Sequence, residues 1–218
     1  MYLSKKRNMK NLVLVLLLIF VTLSSKSQDT IRLTHTNYVS LFSKSLHYPL
    51  MVEWWNTRKE INTKHIPRKD QFQKDPLLPD ETDLANDYKG SHYDRGHMSP
   101  AIDNESLGEK VLTECFYFSN MVPQPHSLNA GDWKSVESLS DNLSKQYDSI
   151  HVWAGGAGVI KKIGKVSVPK YCWKIIYIKK TNEYFYYLFD NLNVEQTGVH
   201  SHEVTKEDLE KVVSVKIN

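Results

Sequence analysis

Cysteine is scarce in this sequence, and several features that would restrict its architecture are missing. Its 218 residues include two cysteines, Cys115 and Cys172, each in apolar, strand-like surroundings. They could form one disulfide or remain two buried thiols, and the sequence leaves both open. Neither has a histidine beside it in sequence, so a cysteine nucleophile is not indicated. The chain also lacks internal repeats, low-complexity tracts and long linkers, which excludes a repeat array.

A hydrophobic run long enough to cross a membrane is also missing. Residues 12–23 are almost entirely apolar but fall well short of the roughly 20 residues that span a bilayer. This run follows a basic stretch and precedes small polar residues, a pattern typical of a secretory signal peptide. No cysteine ends the run, so a lipoprotein attachment is not indicated. We therefore expect a signal peptide at residues 1–28, export (periplasmic or secreted), and no stable membrane association after cleavage.

A surplus of positive charge is missing once that segment is set aside. The chain has 28 Lys+Arg and 25 Asp+Glu, but residues 1–28 hold five of the cations and none of the acids. Residues 29–218 therefore carry 23 basic and 25 acidic side chains, a net charge of −2. This balance excludes a uniformly basic surface that coats nucleic acid. Contact with nucleic acid would have to come from a locally positive cleft.

The patterns over residues 29–218 predict an α+β fold with a mixed, largely antiparallel sheet. The clearest helix is residues 129–147, where apolar residues recur at helical spacing. Residues 57–88 are polar and contain three prolines, which indicates a long surface loop. Residues 36–46 fit either a short helix or an extended arm. A capping-box start predicts a helix at residues 205–211. Strands are expected at residues 48–55, 114–119, 150–154, 166–168, 172–179, 184–188 and 212–217.

The octet Asp94-Arg95-Gly96-His97-Met98-Ser99-Pro100-Ala101 is the strongest chemical signal. Phosphodiester hydrolysis needs a deprotonated water, neutralised charge on phosphorus and a stabilised leaving oxygen. Histidine suits the first task, because an unperturbed pKa of about 6.5 leaves a neutral base near pH 7. Arg95 can bind phosphate oxygens in a bidentate manner, and Gly96 is expected to let the backbone turn between Arg95 and His97. A lone histidine would more often be structural, and only the motif favours catalysis.

A second group, Asn129, Trp133 and Glu137, stands at positions i, i+4 and i+8 of the predicted helix. The Asn129 amide oxygen is a hard ligand, and Glu137 could accept hydrogen bonds from waters around a metal. Mg²⁺ keeps several waters and needs few protein ligands, so a sparse site is chemically reasonable. Taken alone, Asn129 would fit an N-cap and Glu137 a solvated helix position equally well.

Three segments together resemble the DNA/RNA non-specific endonuclease family, whose active site is a ββα-metal motif. They are the octet, residues 116–124 (Phe-Tyr-Phe-Ser-Asn-Met-Val-Pro-Gln), and Leu128-Asn129 through Trp133 to Glu137. Further similar segments extend the resemblance over most of residues 29–218. It implies a single endonuclease domain at residues 29–218, containing a ββα-metal motif, that cuts DNA and RNA. Little sequence preference is expected, because phosphate contacts carry no sequence information directly.

The resemblance also implies a role for each matching residue near the metal. Asn129 would be the one direct protein ligand of Mg²⁺, with Mn²⁺ as the alternative metal. Glu137 would orient the waters around that metal. The chain departs from the family pattern at Ala130-Gly131-Asp132, where Asp132 would add an acid near the metal.

The remaining roles concern the substrate and the base. His97 would be the general base, and Arg95 would bind phosphate and stabilise the transition state. Asn120 would help to position the site and hold His97. Arg68 would be a further phosphate-binding arginine, and Asp94 would be structural, through turn or backbone hydrogen bonds.

Two other functions remain open from the sequence. One is a non-catalytic relative that only binds nucleic acid, which the presence of His97, Asn129 and Glu137 disfavours. The other is a metal-dependent phosphodiesterase that acts on smaller substrates.

Overall fold

A six-stranded antiparallel sheet lies at the centre of the computed structural model, which describes residues 29–58, 66–67, 70–78 and 84–216. The predicted signal peptide at residues 1–28 and Arg68 lie outside these ranges. The strand order is β1-β2-β3-β6-β9-β10. The strands are β1 (Thr30–Thr34), β2 (Tyr38–Ser43), β3 (Tyr48–Thr57), β6 (Ser149–Ala157), β9 (Tyr171–Ile178) and β10 (Glu183–Asp190).

The sheet is covered on both faces, which explains why its inner strands are apolar almost throughout. On one face, Trp54, Val152 and Ile176 pack against Trp133 and Val136 of the long helix α4 (Asp132–Tyr147). On the other face, a second apolar cluster includes a short C-terminal helix, α5 (Lys206–Glu210), and the valines that follow it. Successive residues of β9 therefore alternate between two buried layers.

A smaller unit lies beside the helix-covered face and carries the sequence motifs. Strands β4 (Tyr93–His97) and β5 (Met121–Pro125) pair antiparallel, with His97 opposite Met121. Helix α3 (His126–Ala130) follows β5 directly and leads into α4. This β4–β5–α3–α4 arrangement is the ββα unit that the sequence predicts. The other described elements are α1 (Ala85–Tyr88), α2 (Glu109–Cys115), the hairpin of β7 (Lys161–Ile163) with β8 (Val166–Val168), and three short 3₁₀ turns.

Most of the predicted elements are confirmed, including the α+β class and the antiparallel sheet. Residues 36–46 contain strand β2 rather than a helix. Residues 114–119 were wrongly expected to form a strand: they contain the end of α2 and the start of a 3₁₀ turn. A short apolar run cannot distinguish a buried strand from a buried helix end. Residues 212–216 form no strand, although their valines pack against the sheet.

The two cysteines are free thiols, and both are fully buried. Among the described residues, no helix has the length and apolar character required to cross a bilayer.

Candidate active site

Four of the predicted site residues line one cleft of about 590 Å³: Arg95, His97, Asn129 and Glu137. Strand β4 contributes the first two because residues two apart along a strand point to the same side. Tyr93, Arg95 and His97 therefore form a row along one wall. Helices α3 and α4 supply the opposite wall. The tertiary fold thus brings together residues that are 42 positions apart in sequence, from Arg95 to Glu137.

His97 is held by its backbone and by aromatic neighbours. The Trp133 Nε1–H donates to the His97 carbonyl oxygen at 3.1 Å. The imidazole ring meets the Phe116 ring edge-on, with 5.0 Å between centroids, and lies 5.6 Å from the Phe72 centroid. The residue is only 8% exposed, so the imidazole is constrained in position yet borders the cleft.

Arg95 projects into the cleft with its guanidinium Cζ 4.2 Å from the centroid of the Phe72 ring. A planar cation on an aromatic face keeps its N–H groups at the edges, where phosphate oxygens can accept from them. Gly96 does not make the turn that the sequence suggests, because it lies within the regular strand β4. A Cβ there would lie 2.0 Å from Oε1 of the fully buried Gln124, so the glycine permits close packing between β4 and β5.

The Asn129 amide is oriented by Asp94. Its Nδ2 donates to Asp94 Oδ2 at 2.9 Å, and His126 Nδ1 lies 2.8 Å from the same oxygen. An ionised carboxylate only accepts hydrogen bonds, so the amide nitrogen must face Asp94. The carbonyl oxygen Oδ1 is therefore turned away from Asp94, as a metal ligand at the cleft would require. Asp94 thus acts through its side chain, and not through the turn or backbone bonds that the sequence suggested.

Asn129 and Glu137 do not share a helix, contrary to the predicted helix over residues 129–147. Asn129 belongs to α3 and Glu137 to α4, and the two helices meet at Gly131. A Cβ on Gly131 would lie 2.3 Å from the Ser127 carbonyl oxygen, so this junction requires glycine. Between them Trp133 is fully buried below the cleft. The pair offers one amide oxygen and one partly exposed carboxylate, which fits a Mg²⁺ ion that takes its other ligands from water.

Asn120 is fully buried and acts on the backbone around the site. Its Oδ1 accepts from the Ser99 N–H at 2.9 Å. Its Nδ2 donates to the carbonyls of Ser99 at 2.9 Å and of Cys115 at 2.8 Å. The Asn120 carbonyl in turn accepts from the Met98 N–H at 3.0 Å. The side chain therefore fixes the segment that follows His97, and Asn120 does not line the cleft.

Glu137 belongs to a group of charged side chains that the sequence did not reveal. This buried ionic cluster consists of Glu137 and, below it, Lys174, Asp103 and Asp141. Lys174 is 1% exposed, and its Nζ lies 4.0 Å from Glu137 Oε1 and 4.4 Å from the Trp133 ring centroid. Burial lowers the pKa of Lys174, while the nearby carboxylates oppose that shift. The sequence signal was a single lysine in the apolar strand β9, on the side that faces α4.

The acids of this cluster are also perturbed. Asp103 accepts a 2.8 Å hydrogen bond from Trp54 Nε1. Its burial, and then the charge of Asp141, raise the pKa of Asp103 well above its ordinary value. Burial likewise raises the pKa of Asp141, which borders the cleft one turn after Glu137. The cluster therefore places the Lys174 cation and two further carboxyl groups, those of Asp103 and Asp141, behind Glu137.

Asp132 does not add an acid to the metal site, contrary to the expectation from sequence. Its Oδ2 lies 2.9 Å from His202 Nε2 and accepts from the N–H groups of Thr197 and Gly198 at 3.1 and 3.3 Å. The carboxylate is thus turned towards the loop at residues 197–202. It anchors that loop to the start of α4.

The described lining of the cleft is not predominantly positive, contrary to the expectation drawn from net charge. Among the described residues that line it, the permanently cationic side chains are Arg95 and Lys134. Four acids line it as well: Asp94, Glu105, Glu137 and Asp141. An acidic lining suits a metal cation but repels a polyanion. A positive surface outside the cleft would therefore add attraction for a long nucleic acid.

Comparison with known sequences gives a consistent result. A sequence model described as DNA/RNA non-specific endonuclease matches residues 18–218. The mitochondrial nuclease EXOG of Danio rerio is 30% identical over 161 residues, which are 67% of this chain and 47% of that protein. Human mitochondrial endonuclease G is 33% identical over 107 residues, which are 43% of this chain and 36% of that protein. This chain thus spans about half the length, or less, of these relatives.

A solved structure shares the fold. The structure described as the EndoG/EndoGI complex, concerning the mechanism of EndoG inhibition, matches with a TM-score of 0.74 and 24% identity. The match covers 85% of this chain and 84% of that chain.

The relatives contradict the predicted localisation. EXOG and endonuclease G are mitochondrial proteins by name, so the prediction of a periplasmic or secreted protein is wrong. That prediction depended only on the charge and hydropathy of residues 1–28. Targeting segments are recognised by the transport machinery independently of the fold, so their pattern is not determined by the domain that the relatives share.

Proposed function

Because this chain belongs to the DNA/RNA non-specific endonuclease family, we propose that it is a Mg²⁺-dependent hydrolase that cuts phosphodiester bonds in DNA and RNA. Residues 29–218 would form its single catalytic domain. The observation that carries the proposal is the shared cleft, in which His97, Arg95, Asn129 and Glu137 meet. Low sequence preference follows, since these groups address phosphate and not base edges.

His97 is the general base in this proposal. Its imidazole accepts a proton from water as the water oxygen forms a bond to phosphorus. The bond from phosphorus to the leaving sugar oxygen breaks, and a second water, oriented by Glu137, would donate a proton to that oxygen. Packing against Phe116, together with the Trp133 bond to its carbonyl, limits the ring to few orientations. Asn120 contributes as a positioning residue by fixing the backbone that follows His97.

Both walls of the cleft would stabilise the negative charge that develops in the transition state. Arg95 donates to the non-bridging phosphate oxygens, on which negative charge develops. Arg68 is proposed as a second phosphate-binding residue on the basis of the family resemblance alone. Asn129 Oδ1 would hold Mg²⁺ directly, and Glu137 would orient the surrounding waters. When bound, the ion supplies positive charge beside the leaving oxygen, and Mn²⁺ is the alternative.

The test is cleavage of plasmid DNA and of RNA by the purified protein with Mg²⁺, with and without a chelator. His97→Ala should lower kcat by about 10²- to 10⁴-fold, the usual contribution of a general base. His200→Ala is the matched control, because His200 is exposed and lies outside the cleft lining. It should cleave as the unaltered protein does.

Three outcomes would contradict the proposal. Full activity in His97→Ala would remove the assigned base. Binding of DNA without turnover by the unaltered protein, across divalent metals, would favour a non-catalytic relative. Faster hydrolysis of bis-p-nitrophenyl phosphate than of long DNA would favour a phosphodiesterase acting on small substrates.

A further inference from the structure

The acidic lining of the cleft raises the question of where a long nucleic acid strand gains its electrostatic attraction. Residues 29–218 have a net charge of −2, and among the described residues that line the cleft, acids outnumber permanent cations. Since phosphate neutralisation supplies most of the non-specific affinity for nucleic acid, a separate positive surface should lie beside the site.

The β7–β8 hairpin is such a surface. Residues 159–170 (Val-Ile-Lys-Lys-Ile-Gly-Lys-Val-Ser-Val-Pro-Lys), here called the lysine hairpin, contain four lysines and no acid. All four lysine side chains are exposed. Three of its apolar residues face inward: Ile163, Val166 and Val168 are buried in a cluster with Met121 of β5. The hairpin is therefore anchored to the ββα unit by its core residues, and its lysines remain in solvent.

The lysine hairpin is continuous with the catalytic wall. Lys161 Nζ lies 4.9 Å from the centroid of the Tyr93 ring. Tyr93 is the outermost member of the row Tyr93, Arg95, His97 that lines the cleft. Lys161 therefore extends this row beyond Tyr93. Two residues along a strand span about 6.8 Å, so the row reaches well beyond a single phosphate group.

The charge of the hairpin is only locally offset. Asp87 Oδ1 accepts from the backbone N–H of Lys165 at 3.1 Å, which places one carboxylate near the hairpin turn. Within the part of the chain that the structure describes, neither Lys161 nor Lys162 forms an ion pair. Exposed Lys89 adds a further cation on the segment between α1 and β4. The hairpin thus presents the cation of Lys161 at Tyr93, whereas the described lining of the cleft holds more acids than permanent cations.

We propose that the lysine hairpin binds the sugar–phosphate backbone of the substrate strand next to the scissile phosphate. Lys161 is the contacting cation beside Tyr93, and Lys162 adds positive charge from the opposite side of strand β7. The inference rests on the proposed nuclease function and adds to it the path of the strand, from His97 past Tyr93 to the hairpin. It also assigns polymer affinity and bond cleavage to different surfaces.

The experiment separates binding from turnover by using His97→Ala as the background. Binding of a fluorescent DNA duplex is measured by anisotropy over a range of salt concentrations in the presence of Mg²⁺. Adding Lys161→Gln and Lys162→Gln should weaken binding and reduce the slope of log K against log salt by about 0.9 for each lost phosphate contact. The matched control is Lys179→Gln with Lys180→Gln, an adjacent exposed lysine pair on the β9–β10 turn, which should leave the slope unchanged.

Turnover supplies an independent readout. With His97 intact, the Lys161→Gln/Lys162→Gln variant should show a raised KM for plasmid DNA and an unchanged rate on bis-p-nitrophenyl phosphate, which is too small to reach the hairpin. An unchanged salt slope and KM would overturn the hairpin proposal while leaving the nuclease function intact. Absence of DNA binding in the His97→Ala background itself would count against the nuclease function. An equal loss of DNA affinity in the Lys179→Gln/Lys180→Gln control would show that positive charge strengthens binding wherever it lies on the surface. That result would also overturn the hairpin assignment.

Discussion

The ββα unit and the central sheet use charged side chains in opposite ways. In the ββα unit, Arg95, Asn129 and Glu137 face an open cleft. In the sheet, β9 directs Lys174 inward, where it lies against Trp133 and close to Glu137. The two regions meet at helix α4, which supplies Glu137 to both. The comparison indicates that the short motif holds the proposed reacting groups, and that the sheet below it places a buried cation close to one of them, Glu137.

The largest effect is expected from removing the proposed metal ligand, Asn129, from the motif. Asn129→Ala should reduce kcat by roughly 10²- to 10⁴-fold, because a metal that stabilises transition-state charge contributes several kcal/mol. Mg²⁺ affinity measured by calorimetry without nucleic acid should fall in parallel. Asn142→Ala, at an exposed position of α4, is the control. Unaltered Mg²⁺ affinity in Asn129→Ala would exclude Asn129 as the ligand.

A change on the sheet side should have a smaller but distinctive effect. Lys174→Met leaves the nearby carboxyl groups without their buried cation, so Glu137 should lose its support and Mg²⁺ affinity should fall by about 10- to 100-fold. Unfolding free energy should fall by about 3–5 kcal/mol, because one partner of a buried charge pair has been removed. Calorimetric Mg²⁺ titration and denaturant unfolding measure the two effects.

Controls distinguish positioning from simple structural support. Lys174→Arg keeps the cation and should recover part of the Mg²⁺ affinity. Lys180→Met, at an exposed position of the β9–β10 turn, should change neither quantity. A Lys174→Met protein that is destabilised yet binds Mg²⁺ normally would show that the sheet supports the fold without acting on the site.

The smallest expected effect concerns stability against pH. Burial, and then Asp141, raise the pKa of Asp103 in the folded protein. As pH rises above about 4, the unfolded chain releases this proton while the folded protein retains it. The free energy of unfolding should therefore fall as pH rises from that value to the raised folded pKa, and become level above it.

Asp103→Asn removes this titration and should flatten the decline of Tm with increasing pH over that interval. Scanning calorimetry at several pH values measures it, and the exposed Asp148→Asn is the control. An identical slope in Asp103→Asn and the unaltered protein would show that Asp103 is ionised when folded.

Much of the fold was predictable because its patterns are local. Strands β3, β6, β9 and β10 follow from β-branched and aromatic runs, and α4 from apolar residues at helical spacing. The break between α3 and α4 was not predicted, since it depends on the approach of the Ser127 carbonyl to Gly131. The strand expected at residues 114–119 failed because buried apolar residues at a helix end have the same local pattern.

The candidate site likewise has features that the sequence predicted and features that depend on contacts between distant segments. Motif, spacing and family resemblance predicted His97, Arg95, Asn129 and Glu137 as site residues, and the fold places them in one cleft. Asp132 was misassigned because its partner His202 lies 70 positions later in the chain. The assumption of a positive cleft failed because net charge does not specify where charges lie.

The sequence by itself determined the family, the α+β class and the residues that can carry phosphodiester chemistry, because these depend on residue types at short spacings. Only the tertiary structure decided that Asp94 orients the Asn129 amide, that Lys174 lies below Glu137, and that the lysine hairpin borders Tyr93. Each of these contacts joins segments that are distant in sequence. Packing sets their distances, and therefore the electrostatic interactions between them.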